Sequence, residues 1–315
     1  MSVNLTNIKQ AARRIAKKIH KTPVLTCKAI NEIAGANLFF KCENFQKTGS
    51  FKIRGATNAV FSLSDEEAKN GVITHSSGNH GAALAQAAAW RGIKCYVVTP
   101  HLSPQIKKDA LFSYGAEVTF SDAMLSSRIA ETEKIIKKTN AKLIHPYDND
   151  VIITGAATSA LELIEEKGEF DFIFAPVGGG GGISGSALAA KYLLPNVNVI
   201  GGEPELANDA FLSYTTGKLH PQLPPKTIAD GLRTALSQRT FEYIQDFVDE
   251  IVVVSDQEII EAMQLVWQRM KIIIEPSSAT PLAAVLKIKE KLAGKKIGII
   301  ISGGNVDLKE ILSLF

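Results

Sequence analysis

The stretch Phe172–Leu193, FIFAPVGGGGGISGSALAAKYL, joins three kinds of local structure in one line. FIFAPV is short, apolar and uncharged, as a strand buried on both faces must be. Five glycines follow, Gly178–Gly182, and ISGSALAAKYL then reads as a helix. A strand that runs through a loop into a helix is the repeating unit of a parallel α/β sheet. The amides of such a loop lie where a helix N-terminus favours an anion, and absent side chains let a phosphate come close. The loop carries no Gly-Lys-Ser/Thr and no GxGxxG followed by an acidic strand end. A phosphate therefore fits, and a nucleoside triphosphate does not.

The same alternation runs through the chain. NLFFKCE, GVITHSS, KCYVVTP, AEVTF, KLIHP, VNVIGGE, EIVVVS and KIGIIISGG read as further strands. NHGAALAQAAAW, SPQIKKDALFSYG, SRIAETEKIIKK, TSALELIEEK and DQEIIEAMQLVWQRM read as helices between them. The expectation is an α/β protein with mainly parallel, doubly wound sheets, whose ligands sit beyond the carboxyl ends of the strands. Polar glycine loops stand there at SSGNHG, GGGGGISG and SGGN. Each alone is as readily a tight turn.

Composition narrows the function classes. With 315 residues, 45% hydrophobic and 21% charged, the chain has ordinary globular content and room for two domains. A formal charge of +3 gives no support to nucleic-acid binding. No apolar run reaches the roughly 18 residues of a membrane span, so no membrane partner is expected. AARRIAKKIHKTP fits an amphipathic helix with a solvated basic face better than a targeting segment. Cys27, Cys42 and Cys95 form no CxxC pair and read as thiols in a reducing compartment, so a cytoplasmic location is expected. The histidines show no metal-ligand spacing for zinc, and no GxSxG elbow marks a hydrolase.

A phosphate-bearing cofactor that works covalently needs a nucleophile. In TGSFKIRGA, Lys52 lies between Phe51 and Ile53, where partial desolvation lowers its pKa toward the free amine. Taken alone, a lysine is a solvated surface residue.

Five motifs in order, SFKIRGA, SSGNHG, PVGGGG, TIADG and SGGNVD, resemble the serine racemase and threonine dehydratase family of fold type II pyridoxal-phosphate enzymes, whose fold is tryptophan synthase β-like. The resemblance extends from KTPVL to SGGNVDL. It implies that Lys52 forms the Schiff base with pyridoxal 5'-phosphate and that Phe51 packs beside the ring. It implies that Asn79 bonds the ring hydroxyl and that Gly178, Gly179, Gly180 and Gly181 donate amides to the phosphate. Gly231 and Glu275 would line the cofactor, and Ser302 would face the pyridine nitrogen. A neutral hydroxyl at that nitrogen makes the ring a modest electron sink, suited to β-elimination or racemisation. Gly182 stands where relatives carry Leu or Met.

Within that family, Ser77 matches the racemase acid/base on the face opposite the lysine, and many dehydratases have Ala there. A loop serine capping the next helix is the plain alternative, and the two roles are compatible. Ser76, Ser77, Asn79, His80 and Arg128 are the implied substrate contacts. LVWQRMKIIIEP also leans toward the racemases, whereas GAATSALE and Tyr147 lean toward the dehydratases. In GGEPELANDA, the resemblance implies a divalent cation, Mg²⁺ or Ca²⁺ or Mn²⁺, on Glu203, the Ala207 carbonyl and Asp209. Two acids with waters suffice for a hard cation, although a pair of loop acids is more commonly just solvated. Lys47 and Tyr114 match a nucleotide-effector site, where Ala82 replaces a glutamine.

The expected activity is interconversion of L- and D-serine together with dehydration to pyruvate and ammonia. The alternative is an L-threonine/L-serine ammonia-lyase with negligible racemisation. A homodimer is expected, with residues 1–64 and 149–315 as the large cofactor-binding domain, 71–148 as the small one, and the active site in the cleft between them.

Overall fold

The computed structural model describes residues 3–76, 78–103, 105–122, 124–221 and 225–314. The strands are β1 (Val24–Leu25), β2 (Asn37–Cys42), β3 (Val72–His75), β4 (Cys95–Pro100), β5 (Glu117–Ser121), β6 (Lys142–Leu143), β7 (Phe172–Pro176), β8 (Asn198–Pro204), β9 (Glu250–Val254) and β10 (Lys296–Ile301). They form a six-stranded sheet in the order β1-β2-β10-β7-β8-β9 and a four-stranded sheet in the order β5-β4-β3-β6. β1 pairs antiparallel with β2, and every other pairing is parallel. Each apolar run read from the sequence becomes one of β2 to β10.

β10 shows why the larger sheet is buried on both faces. It lies between β2 and β7, with Gly298 opposite Phe39 on one side and Ile173 on the other. Ile297, Ile299 and Ile301 point into a core with Ile274 and Leu282. Ile300 points the other way, into a core with Ile173 and Ile183. Each buried isoleucine contributes roughly 1.5–3 kcal/mol. A charge anywhere from Ile297 to Ile301 would face one core or the other.

The helices, in chain order, are α1 (Leu5–Ile15), α2 (Lys28–Ala34), α3 (Lys52–Ser62), α4 (Asp65–Ala68), α5 (Asn79–Arg91), α6 (Gln105–Ser113), α7 (Leu125–Thr139), α8 (Asp150–Lys167), α9 (Gly181–Leu193), α10 (Asp209–Thr216), α11 (Gln238–Phe247), α12 (Asp256–Leu265), α13 (Pro276–Lys287) and α14 (Leu308–Ile311). α1 buries Ile8, Ala11 and Ile15 and turns Lys9 and Arg13 to solvent. α8 begins at Asp150, well before TSALELIEEK, because the Asn149 side chain accepts the N–H groups of Val151 and Ile152. α3 and α8 cross closely where glycine meets glycine: a Cβ on Gly155 would lie 2.6 Å from the Gly55 Cα. The three cysteines are free, and burial pushes the Cys42 and Cys95 thiols up to about 12. Among the described residues, no helix is long and apolar enough to cross a membrane.

Candidate active site

The glycine loop joins β7 to α9, and the first N–H groups of α9 have no partner within the helix. Gly180 is the N-cap residue at φ +85°, where an L side chain is strained, and a Cβ there would lie 2.6 Å from Thr240. The Tyr147 ring presses on the same loop, so a Cβ on Gly179 would come within 2.5 Å of it. The loop is thus fixed from outside by side chains and left bare toward the helix N-terminus.

Lys52 opens α3. Its Nζ donates to the Pro146 carbonyl at 3.3 Å and lies 5.0 Å from the centre of the Phe51 ring. Burial lowers its pKa to about 8, with Glu275 pulling it partly back. The turn is tied to the end of β10, since the Phe51 amide donates to the Ser302 carbonyl at 2.9 Å and Ser50 bridges to Gly303. A Cβ on Gly182 would meet the Phe51 ring at 3.1 Å, so the bare position leaves room for that ring.

Asn79, at the start of α5, donates through Nδ2 to both oxygens of Glu275, at 3.0 and 3.1 Å. It accepts through Oδ1 from Asn305 at 2.9 Å. Burial raises the Glu275 carboxyl to about 7, Lys107 opposes that rise and Asp230 adds to it. Lys107 in turn pairs with Asp230, which joins α6 to the TIADG segment. Gly231 of that segment donates its amide to Ser277 Oγ at 3.0 Å. Ser302 Oγ lies 2.9 Å from Ser278 Oγ, and Ser278 Oγ donates to the Gly303 carbonyl and accepts the Gly303 amide, both at 2.7 Å.

The substrate contacts expected from sequence divide three ways. Ser76 is buried and caps α5, accepting the amides of Gly78 and Gly81 at 3.3 and 3.1 Å. Ser77 lies outside the described residues. His80 is buried: its Nε2 lies 3.3 Å from the Ile144 carbonyl, an acceptor, so Nε2 carries the proton. Its Nδ1 is buried without a hydrogen-bond partner among the described residues. Burial and then Lys52 lower this imidazole to about 3, so it is neutral. Arg128, on α7, is half-buried, and among the described residues its Nε has no partner. The electrostatics place it close to Tyr147 and His75.

Glu203 lies in β8 and Asp209 opens α10, so the two acids come from successive elements. Glu203 accepts the Ala210 and Phe211 amides at 2.9 and 2.7 Å. Burial holds its carboxyl well above the usual range, and Asp209 pushes it further. Asp209 accepts the Leu236 amide at 3.2 Å, and Ala207 ends the short turn that precedes it. A cleft of about 250 Å³ beside Asn79 is lined by Ala82, Lys107 and Tyr114. Lys47 stacks over Trp90, 5.1 Å from the ring centre.

Three features had no readable signal: the Pro146 carbonyl as the lysine's acceptor, Tyr147 as the wedge under the loop, and the Lys107–Asp230 pair. Each joins segments far apart in sequence.

Residues 15–303 match the family model described as "Pyridoxal-phosphate dependent enzyme". The chain is 53% identical to a serine racemase of Dictyostelium discoideum, over 98% of this chain and 97% of that protein. It is 47% identical to a beta-hydroxyaspartate dehydratase of Paracoccus denitrificans, over 96% of each. The structure of maize serine racemase superimposes with a TM-score of 0.96 at 43% identity, covering 100% of this chain and 97% of that one.

Proposed function

The chain belongs to the pyridoxal-phosphate dependent enzyme family, and on that premise we propose that it interconverts L- and D-serine and also eliminates water from serine to give pyruvate and ammonia. The observation that carries this reading is Lys52: a buried amine with its pKa lowered to about 8, over the Phe51 ring, which itself meets the glycine loop at Gly182. The relatives named serine racemase support the choice of substrate.

The residues fit the cofactor. A glycine cradle at a helix N-terminus suits its phosphate, a desolvated lysine suits a covalent link, and a hydroxyl suits its ring nitrogen. What pyridoxal phosphate supplies when bound is an electron sink for the Cα–H bond of an amino acid. Gly178, Gly179, Gly180 and Gly181 would hold the phosphate, Phe51 would flank the ring, and Asn79 would bind the ring hydroxyl. Gly231 and Glu275 would line the pocket, with Ser302 at the nitrogen. Lys52 would take the Cα proton on its own face, and Ser77 would return one on the other. Ser76, Asn79, His80 and Arg128 would hold the substrate, the arginine as the permanently charged partner of a carboxylate.

A second reading, which the relative named beta-hydroxyaspartate dehydratase favours, is an L-threonine/L-serine ammonia-lyase with negligible racemisation. Incubating the holoenzyme with L-serine and resolving the products by chiral chromatography separates the readings. D-serine is expected, and pyruvate without D-serine leaves the lyase.

The carboxyls of Glu203 and Asp209, with the Ala207 carbonyl, would form a donor set suited to Mg²⁺, Ca²⁺ or Mn²⁺. A cation there would offset the repulsion that raises Glu203. We also propose a cytoplasmic homodimer, with residues 71–148 as the small domain and a nucleotide effector near Lys47, Ala82 and Tyr114.

A further inference from the structure

Beneath α3 lies a group of buried charges that none of these roles uses. Arg54 is completely buried. It grips Glu43 with two donors, Nε to Oε2 at 2.6 Å and Nη2 to Oε1 at 2.8 Å. It grips Glu162 with two more, Nη1 to Oε1 at 2.7 Å and Nη2 to Oε2 at 2.8 Å, and Nη1 also donates to Thr158 at 3.1 Å. Lys41 Nζ donates to Glu162 at 2.6 Å and to the Thr22 carbonyl at 2.8 Å. The two carboxylates and two cations balance. Burial opposes the charge on Arg54, but Glu43 and Glu162 more than offset it, and its pKa is pushed up.

Buried ion pairs rarely stabilise a fold more than apolar packing of the same volume, so geometry is the better account of such a cluster. A guanidinium is a rigid planar fork, and forked bonds to two carboxylates fix angles as well as distances. Glu43 follows directly on β2, Glu162 belongs to α8, and Arg54 to the first turn of α3. That turn needs outside support, because Phe51 at its N-cap makes no side-chain cap. Residues two apart on a helix point about 200° apart. While the Lys52 amine reaches the Pro146 carbonyl, Arg54 therefore reaches back into the body of the protein, like the anchored end of a lever.

We propose that the Arg54, Glu43, Glu162 and Lys41 cluster is a positioning device for Lys52, setting the depth and rotation of the first turn of α3 and thereby the place of the amine. This rests on the reading of Lys52 as the residue that binds the cofactor covalently.

The test uses cofactor-stripped protein mixed with pyridoxal phosphate. The Lys52 amine adds to the aldehyde carbon and one water leaves as the C=N bond forms. The near-visible absorbance follows that step, and borohydride reduction with peptide mass mapping identifies the lysine. Arg54→Lys keeps the charge and loses the fork. Its linking rate is expected to fall by about tenfold or more, as misplaced reacting groups do, with kcat for serine falling more than KM changes. Leu292→Ala, fully buried in the core that holds Ile274 and Leu282, lowers the melting temperature away from α3 and the end of β10 and is expected to link at the wild-type rate. A wild-type rate in folded Arg54→Lys overturns the proposal. Should that variant fail to fold, Glu162→Gln, which keeps the volume and one acceptor, is held to the same criterion. Wild-type protein linking at another lysine would instead overturn the assignment of Lys52.

Discussion

The amide of Asn79 donates to both carboxylate oxygens of Glu275, so one side chain from the helix after β3 is tied to one from the segment before α13. Burial makes this carboxylate costly, and its pKa of about 7 stands above the ordinary 4.5. The folded protein therefore holds this proton at pH values where the unfolded chain has lost it. Stability from this group is fully present below about 4.5 and is lost as pH rises through 7. Glu275→Gln in the cofactor-free protein is expected to gain stability relative to wild type across that window, by on the order of 2–3 kcal/mol. Paired urea melts from pH 4 to 8 measure it, and a difference that does not change with pH contradicts the assignment.

Lys52 gives the opposite case, a base whose pKa is depressed from 10.5 to about 8. At neutral pH the fold must hold an ammonium it solvates poorly. That penalty is complete below pH 8 and disappears as pH approaches 10.5. Cofactor-free Lys52→Met should therefore be the more stable protein at pH 7, by roughly 3 kcal/mol, with the gap closing toward pH 10.5. The same variant should show neither turnover nor the near-visible absorbance of linked cofactor.

The contact between Tyr147 and the glycine loop predicts a rescue. Gly179→Ala drives a methyl to within 2.5 Å of the ring, so the loop or the ring must move. Overpacking of this kind costs roughly 1–3 kcal/mol, and about tenfold weaker binding of pyridoxal phosphate is expected. Adding Tyr147→Ala should restore much of that affinity in a fluorescence titration. No recovery would mean that the methyl obstructs the phosphate itself.

Racemisation and elimination make different demands on the site. Elimination needs the Cα proton removed on one face, whereas inversion needs a proton delivered to the other. Ser77→Ala should lose L-to-D conversion and D-serine dehydration while keeping much of the elimination from L-serine. Racemisation at the wild-type rate would remove Ser77 from the mechanism and leave it as a loop and cap residue.

An ion bound only by the folded protein raises its melting temperature. EDTA should lower the melting temperature and activity of wild type, and Mg²⁺ or Ca²⁺ should restore both. Glu203→Ala should be insensitive to either addition. Equal melting temperatures with and without EDTA in wild type would dismiss the cation.

The strands were readable because a sheet buried on both faces is mostly apolar, and so the runs IGIII and IVVV, each after one charged residue, stand out from their surroundings. β1 was not read, since Val24 and Leu25 stand alone between Pro23 and the polar Thr26. Of the site, the motif glycines, Lys52 and Asn79 were nameable from sequence. The start of α8 was hidden because DVIITGAA has no polar face: Ile152 through Leu161 are all buried. The ionic cluster around Arg54 escaped for another reason. Its members lie at 41, 43, 54 and 162, and nothing local distinguishes a glutamate that will be buried from one that will be solvated.

The position of β10 has a consequence for synthesis. All four strands of the smaller sheet fall between residues 72 and 143, so a nascent chain has them in hand before half of it has left the ribosome. The larger sheet has to wait. β10 is the last of the described strands in chain order, yet it fills the slot between β2 and β7, and until it arrives two apolar edges lie open. Such edges invite aggregation until about residue 301 has been added. Ser302 and Gly303, which anchor the Lys52 turn, come just after that strand. The ribosome therefore delivers the closing strand and the lysine's anchor almost together, and a chain released early has neither.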